Sequence, residues 1–105
     1  MENKILGLIG LSAKSGRIAF GADSVKREML KGKIKLLILA ENSSERTKLK
    51  FKKIADEAKI PIIFFGTISN ISNAIGKTNK AILGIMDMNL AREIKKIYNG
   101  GDSIG

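Results

Sequence analysis

At 105 residues the chain has the length of one domain and is too short to build two cores. It holds no cysteine and no histidine, which excludes disulfides, thiolate metal sites and any mechanism that needs an imidazole base. Nineteen Lys and Arg against ten Asp and Glu leave a net charge of +9, which suits a polyanionic partner.

Hydrophobic residues make up 44% of the chain, enough to fold rather than stay disordered. No apolar run approaches the ~20 residues that span a bilayer. The start, Met1-Glu2-Asn3-Lys4, lacks a signal-peptide layout, so a cytoplasmic protein with no membrane partner is expected.

In chain order, Ile5, Leu8 and Ile9 recur at helical spacing, with Ser12 one step further. Gly7 and Gly10 suit close packing of this first helix, and Lys14-Ser15-Gly16 ends it. Ile18-Ala19-Phe20 reads as a short strand. A second helix is expected from Asp23 to Lys31, with Ala22, Val25 and Met29 inward and Gly32 as its stop. Lys35 to Ala40 is a continuous apolar run, the pattern of a strand buried on both faces. Asn42 and Glu45 stand at capping-box spacing before a third helix. Phe51, Ile54, Ala55 and Ala58 form its inner face. Its cations, Arg46, Lys48, Lys50, Lys52, Lys53 and Lys59, read as a solvated surface.

Pro61 permits a strand start and Ile62 to Phe65 continue it. Gly66-Thr67 turns into a short helix with Ile68, Ile71 and Ile75 inward, and Gly76 to Lys80 is a polar loop. Ala81 to Met86 is another buried strand. Asp87 caps a last helix with Leu90, Ala91, Ile94 and Ile97 inward. Asn99-Gly100-Gly101 ends it, and the tail to Gly105 is expected to be loose. Buried strands alternating with amphipathic helices imply one α/β domain over 1–105, a helix-sheet-helix sandwich with four strands.

The cations are unevenly spread: residues 1–35 carry eight against three anions. Within them, an apolar run ends at Gly21 and a helix opens with Asp23 and Ser24 and carries Lys26, Arg27 and Lys31. A helix N-terminus offers unpaired N–H groups and a partial positive charge, which suits a phosphate backbone. Lys14 and Arg17 add charge beside it. Ala13-Lys14-Ser15 ends like a nucleotide phosphate loop, but Leu8 and Ala13 occupy the positions where that loop needs glycines. The carboxylates, Asp23 and Asp87 among them, show no paired spacing for metal or acid–base work, and both of these sit where helix caps belong. Phe20, Phe51, Phe64 and Phe65 fall on core positions, which leaves only Tyr98 and no stacking platform for single strands. Recognition by shape and backbone fits this composition better.

The run Lys14-Ser15-Gly16-Arg17, Gly21-Ala22-Asp23-Ser24-Val25-Lys26-Arg27, Lys31-Gly32-Lys33 and Leu36 to Glu41 resembles the kink-turn-binding ribosomal protein family (L-seven-Ae / L-thirty-e). Ile60-Pro61-Ile62, Gly66-Thr67, Ala74-Ile75-Gly76-Lys77 and Ile85 to Ile94 extend the resemblance over nearly the whole chain. The small bacterial YlxQ-type members are the most similar. The resemblance implies a three-layer α-β-α sandwich around a four-stranded mixed sheet. It implies a non-enzymatic protein without cofactor or metal, which binds sharply bent RNA containing sheared G·A pairs. Ribosomal RNA, or a ribosomal or translation-related protein, would be its company, and a monomer is expected.

By that resemblance Gly21 lets the backbone approach the RNA, and the start Gly21, Ala22, Asp23, Ser24 reads the groove edge. Asp23 and Ser24 stand where kink-turn binders carry Asn and Glu, and Arg27 where they carry lysine. An ionised Asp23 accepts hydrogen bonds but cannot donate them, and Ser24 is shorter than Glu. Ile75, Gly76, Lys77 and Thr78 lie in or beside a second contact loop that packs on a protruding base. Lys14, Arg17, Lys26, Arg27 and Lys31 would anchor phosphates. The alternative is an adaptor that uses the same fold and basic surface to bind a protein.

Overall fold

The structure, a computed structural model, describes residues 2–100; Met1 and the expected loose tail, 101–105, lie outside the described residues. Five helices and four strands alternate: α1 (Glu2–Lys14), β1 (Ile18–Phe20), α2 (Ala22–Leu30), β2 (Leu36–Leu39), α3 (Glu45–Ala58), β3 (Ile62–Phe64), α4 (Ile68–Ala74), β4 (Ile82–Ile85) and α5 (Met88–Tyr98). The strands make one mixed sheet in the order β1-β4-β2-β3. β2 pairs parallel to β3, with Leu37 opposite Ile62. β4 runs antiparallel to both its neighbours, with Leu36 and Ile18 each opposite Ile85.

Helices cover both faces of this sheet, which is why β2 and β4 are buried at every position. Alternation along β2 sends Leu36 and Ile38 to one side and Leu37 and Leu39 to the other. Leu36 and Ile38 join Ile5, Ile9, Ile71, Ile94 and Ile97 under α1, α4 and α5. Leu37 and Leu39 join Val25, Phe51 and Ala55 under α2 and α3. The expected α-β-α sandwich with a four-stranded mixed sheet is thus what the chain adopts.

Several local expectations are corrected. Asn42 and Glu45 make no capping box. Ser44 caps α3 instead, accepting from the Thr47 N–H. Asn42 reaches across to the next connection, where its Oδ1 accepts from the Ile68 N–H at 2.9 Å. Asp23 is not a cap either: Gly21 is the N-cap of α2 and Asp23 lies inside its first turn. Asp87 does cap α5, accepting from the Leu90 N–H at 2.9 Å. Of the two glycines on α1, only Gly10 packs closely, since a Cβ there would stand 3.2 Å from the Ala74 carbonyl oxygen; nothing approaches Gly7. Ser12, fully buried, donates its hydroxyl to the Leu8 carbonyl.

Candidate functional site

Strand direction decides which connections meet. β1, β2 and β3 point the same way, so their C-terminal ends share one edge of the sheet. The starts of α2, α3 and α4 leave from that edge, and the loop Gly76–Ala81 enters antiparallel β4 from it. Backbone bonds tie these connections together. The Gly21 N–H donates to Ile82 O (2.9 Å), the Ala40 N–H to Ala81 O (2.9 Å) and the Glu41 N–H to Gly66 O (2.8 Å). Ligand sites in α/β sheets gather at such an edge.

The α2 start has unusual chemistry among the helices here. Gly21 adopts φ 87° and ψ 153°, and no side chain caps the helix it opens. α3, α4 and α5 are each capped by a hydroxyl or carboxylate, from Ser44, Thr67 and Asp87. The first-turn N–H groups of α2 are therefore left for an external acceptor. Ser24 accepts from Arg27 Nη2 at 3.2 Å, which leaves its own O–H free to donate.

Across from this start stands the Gly76–Lys80 loop. Ser72 fixes it from below: its hydroxyl donates to the Lys80 carbonyl (3.1 Å) and accepts from the Lys80 N–H (2.7 Å). Asn79 takes a left-handed conformation, φ 55°, to turn the loop. Lys77 and Lys80 then reach over the ring of Phe20, with their ammonium nitrogens 5.1 Å and 5.6 Å from its centroid. Phe20 is half-buried rather than a full core residue, and it directly precedes Gly21. One aromatic ring thus holds two cations at the mouth between the loop and the α2 start.

The expected site residues divide into groups. Gly21, Ala22, Asp23 and Ser24 sit at the edge together with exposed Gly76, Lys77 and Thr78. Ile75 is buried beneath them in the core, at 8% exposure, and seats the loop. Lys14 shares a groove of about 540 Å³ with Leu11, Ile75 and Gly76, on the flank of the same loop. Lys26 and Arg27 lie further along α2. Arg17 and Lys31 belong to the opposite edge, where Arg17 precedes β1 and Lys31 follows α2. Arg17 pairs there with Asp87 at 3.1 Å. Lys31 and Arg27 both lean on Glu28, at 3.7 Å and 3.8 Å. By contrast, no carboxylate among the described residues comes within ion-pair distance of Lys26, Lys77 or Lys80.

Lys80 ends the expected contact loop, but sequence reasoning did not single it out as a site residue. Its signal was the direction of β4: an antiparallel strand must be entered from the edge where α2 starts. Among the described residues no group of His, Cys, Asp or Glu is placed to hold a metal ion, and no helix is long and apolar enough to cross a membrane.

Residues 3–95 match the ribosomal protein L7Ae/L30e/S12e/Gadd45 family. The chain is 29% identical over 99 residues to the RNA-binding protein YlxQ of Enterococcus faecium, covering 94% of this chain and 95% of that one. It is 24% identical to the large ribosomal subunit protein eL8 of Picrophilus torridus, over 83% of this chain and 69% of that one. Among solved structures, a Bacillus halodurans protein of unknown function superposes with a TM-score of 0.87 at 26% identity, covering 91% and 97% of the two chains.

Proposed function

We propose that this chain, which belongs to the ribosomal protein L7Ae/L30e/S12e/Gadd45 family, is a non-enzymatic RNA-binding protein that recognises a bent, structured RNA. The observation that carries the reading is the meeting of the uncapped α2 start with the Lys77–Lys80 loop over Phe20. A phosphate or base edge placed there finds free N–H groups on one side and two cations on the other. A regular A-form stem would bring only its backbone to such a mouth, whereas a sharp bend presents splayed bases and closely spaced phosphates together.

Asp23 and Ser24 set the hydrogen-bond code of the groove edge. Asp23 accepts from base amino groups, and the Ser24 hydroxyl donates while Arg27 holds its oxygen. Lys14 flanks the loop as a further phosphate contact. The protein acts as one monomeric domain, in the cytoplasm, with ribosomal RNA or translation-associated RNA as its class of partner.

The test is K77Q/K80Q measured by fluorescence anisotropy on a bent RNA. The salt slope of log K should fall by about two, one per lost phosphate contact. An unchanged slope would refute the mouth as the RNA site. A second reading, a protein-binding adaptor, draws on Leu30, which is 90% exposed at the end of α2 beside Met29 and Ile54. It requires that R27E leave RNA binding intact while abolishing capture of a protein partner.

A further inference from the structure

The far edge of the sheet, opposite the α2 start, gathers cations that the function above leaves unused. One position before Ile18 and Leu36, which both stand opposite Ile85, Arg17 and Lys35 flank Met86. The Met86 N–H donates to the Arg17 carbonyl at 3.0 Å and the Lys35 N–H to the Ile85 carbonyl at 2.7 Å. The last rung of the sheet thus carries one cation on each side of a methionine. At ~4.8 Å per strand their backbones stand about 10 Å apart. Gly16, Gly32 and Lys33 complete the same open groove, of about 370 Å³. Ile34, between the two lysines, is buried against Gly84, while Lys33 is exposed and Lys35 half-buried in the groove wall.

The charge of this groove is open to a ligand. Among the described residues no carboxylate comes within ion-pair distance of Lys33 or Lys35. Arg17 spends one N–H on Asp87, at 3.1 Å, and its side chain is still 65% exposed. Backbone donors, by contrast, are all in use. The N–H groups of Gly16, Arg17, Gly32 and Lys33 donate to Ala13 O, Ser12 O, Met29 O and Glu28 O, and those of Lys35 and Met86 close the rung. A small anion is cradled by convergent backbone N–H groups, and the groove has none to give. What remains is a row of long cationic side chains, which matches an extended polyanion. Met86 is its one apolar side chain. The groove therefore lacks both the anchors of a protein interface and an aromatic platform for single-stranded bases.

We propose that Arg17, Lys33 and Lys35 form a second RNA site, which takes the phosphate backbone of a duplex segment remote from the bend at the α2 start. This rests on the function proposed above. Arg17 and Gly21 stand at opposite ends of β1, about 13 Å apart at ~3.3 Å per residue, so the two sites engage different phosphates. The protein thereby holds two RNA segments in a fixed relation, one recognised by its bend and one by its charge.

The experiment saturates the protein with an unlabelled bent RNA of minimal stems, then titrates it against a labelled straight duplex between roughly 50 and 200 mM salt, reading anisotropy. Wild type, K33Q and K33Q/K35Q are compared. The bend-saturated wild type should still bind duplex, and the salt slope should fall by about one for K33Q and about two for K33Q/K35Q. On the minimal bend alone all three slopes should agree. Urea midpoints should match, since neither lysine has an ion pair to lose. A parallel titration uses the bend with one stem extended by about a helical turn. Slope reductions seen only there would make the segment a stem of the same RNA; reductions on the separate duplex would make it a second RNA. Equal slopes for all three proteins on both RNAs would overturn the second site. Equal reductions on the minimal bend would also overturn it, because the lysines would then act on the bend itself as a general field. If wild type shows no preference for bent RNA over straight duplex, the proposed function fails and the second site with it.

Discussion

Substituting Gly21 by alanine tests whether the mouth is built as described. At φ 87° and ψ 153° this residue occupies a region open almost only to glycine. Space is not the obstacle: a Cβ would meet only Lys80 Nζ, at an ordinary 3.9 Å. The strain is in the backbone, and the residue cannot relax. Its N–H is held by Ile82 O at 2.9 Å and its carbonyl accepts from the Val25 N–H at 3.0 Å. Any rotation breaks either the tie to β4 or the first turn of α2. Such strain costs about 1–3 kcal/mol. For a domain of this size that is a fall in Tm of roughly 5–20 °C. Urea unfolding of G21A should show a lower midpoint with the same slope. The control is G7A, on an exposed helical position with no atom within 4 Å of the new methyl. It should gain about 0.5–1 kcal/mol, the usual preference of a helix for alanine. If G21A matches or exceeds wild type, the conformation at position 21 is wrong, and with it the geometry of the α2 start.

A methyl added at Gly84 would stand 2.6 Å from Ile34 Cδ1 and 3.4 Å from both Ile34 γ carbons, so G84A should lose about 1–3 kcal/mol in thermal or urea unfolding. I34V removes the clashing δ carbon, and the double variant should be more stable than the sum of the single changes predicts. The Leu90 N–H, followed by the Asn89 N–H and Arg17, holds the Asp87 carboxyl below its ordinary 3.8. A group with a lowered folded value stabilises fully above its unfolded value and stops doing so as pH falls through the folded one. Urea midpoints of wild type should therefore exceed those of D87N at pH 6, and the gap should shrink as pH falls below the ordinary 3.8 and through the lowered folded value; a gap constant with pH would refute the assignment. K80Q should lower the salt slope for bent RNA more than R17Q does, because Arg17 sits at the far edge of the sheet on Asp87. Equal effects would mean that the RNA footprint spans both edges.

The layers of this fold are legible in the chain because its core is written in short-range patterns. Leu36 to Leu39 read as a doubly buried strand, and Ala91, Ile94 and Ile97 read as one helix face; both are buried as expected. What the pattern could not carry is contact between distant residues. Asn42 looks like a local cap, yet its partner is the Ile68 N–H, 26 positions on. Arg17 and Gly21 are neighbours in sequence, but a strand between them sends them to opposite edges of the sheet. Lys80 closed the expected polar loop without any sign that its ammonium would fold back over Phe20. Strand order and direction, which no local window contains, decide each of these.

The most direct measurement compares binding of the intact protein to a bent RNA containing sheared G·A pairs and to a straight duplex of equal length, across a salt series. The account predicts tighter binding to the bent RNA at every salt concentration, with the preference kept as ionic contacts weaken. Equal affinities that collapse together as salt rises would contradict it and leave only a basic surface.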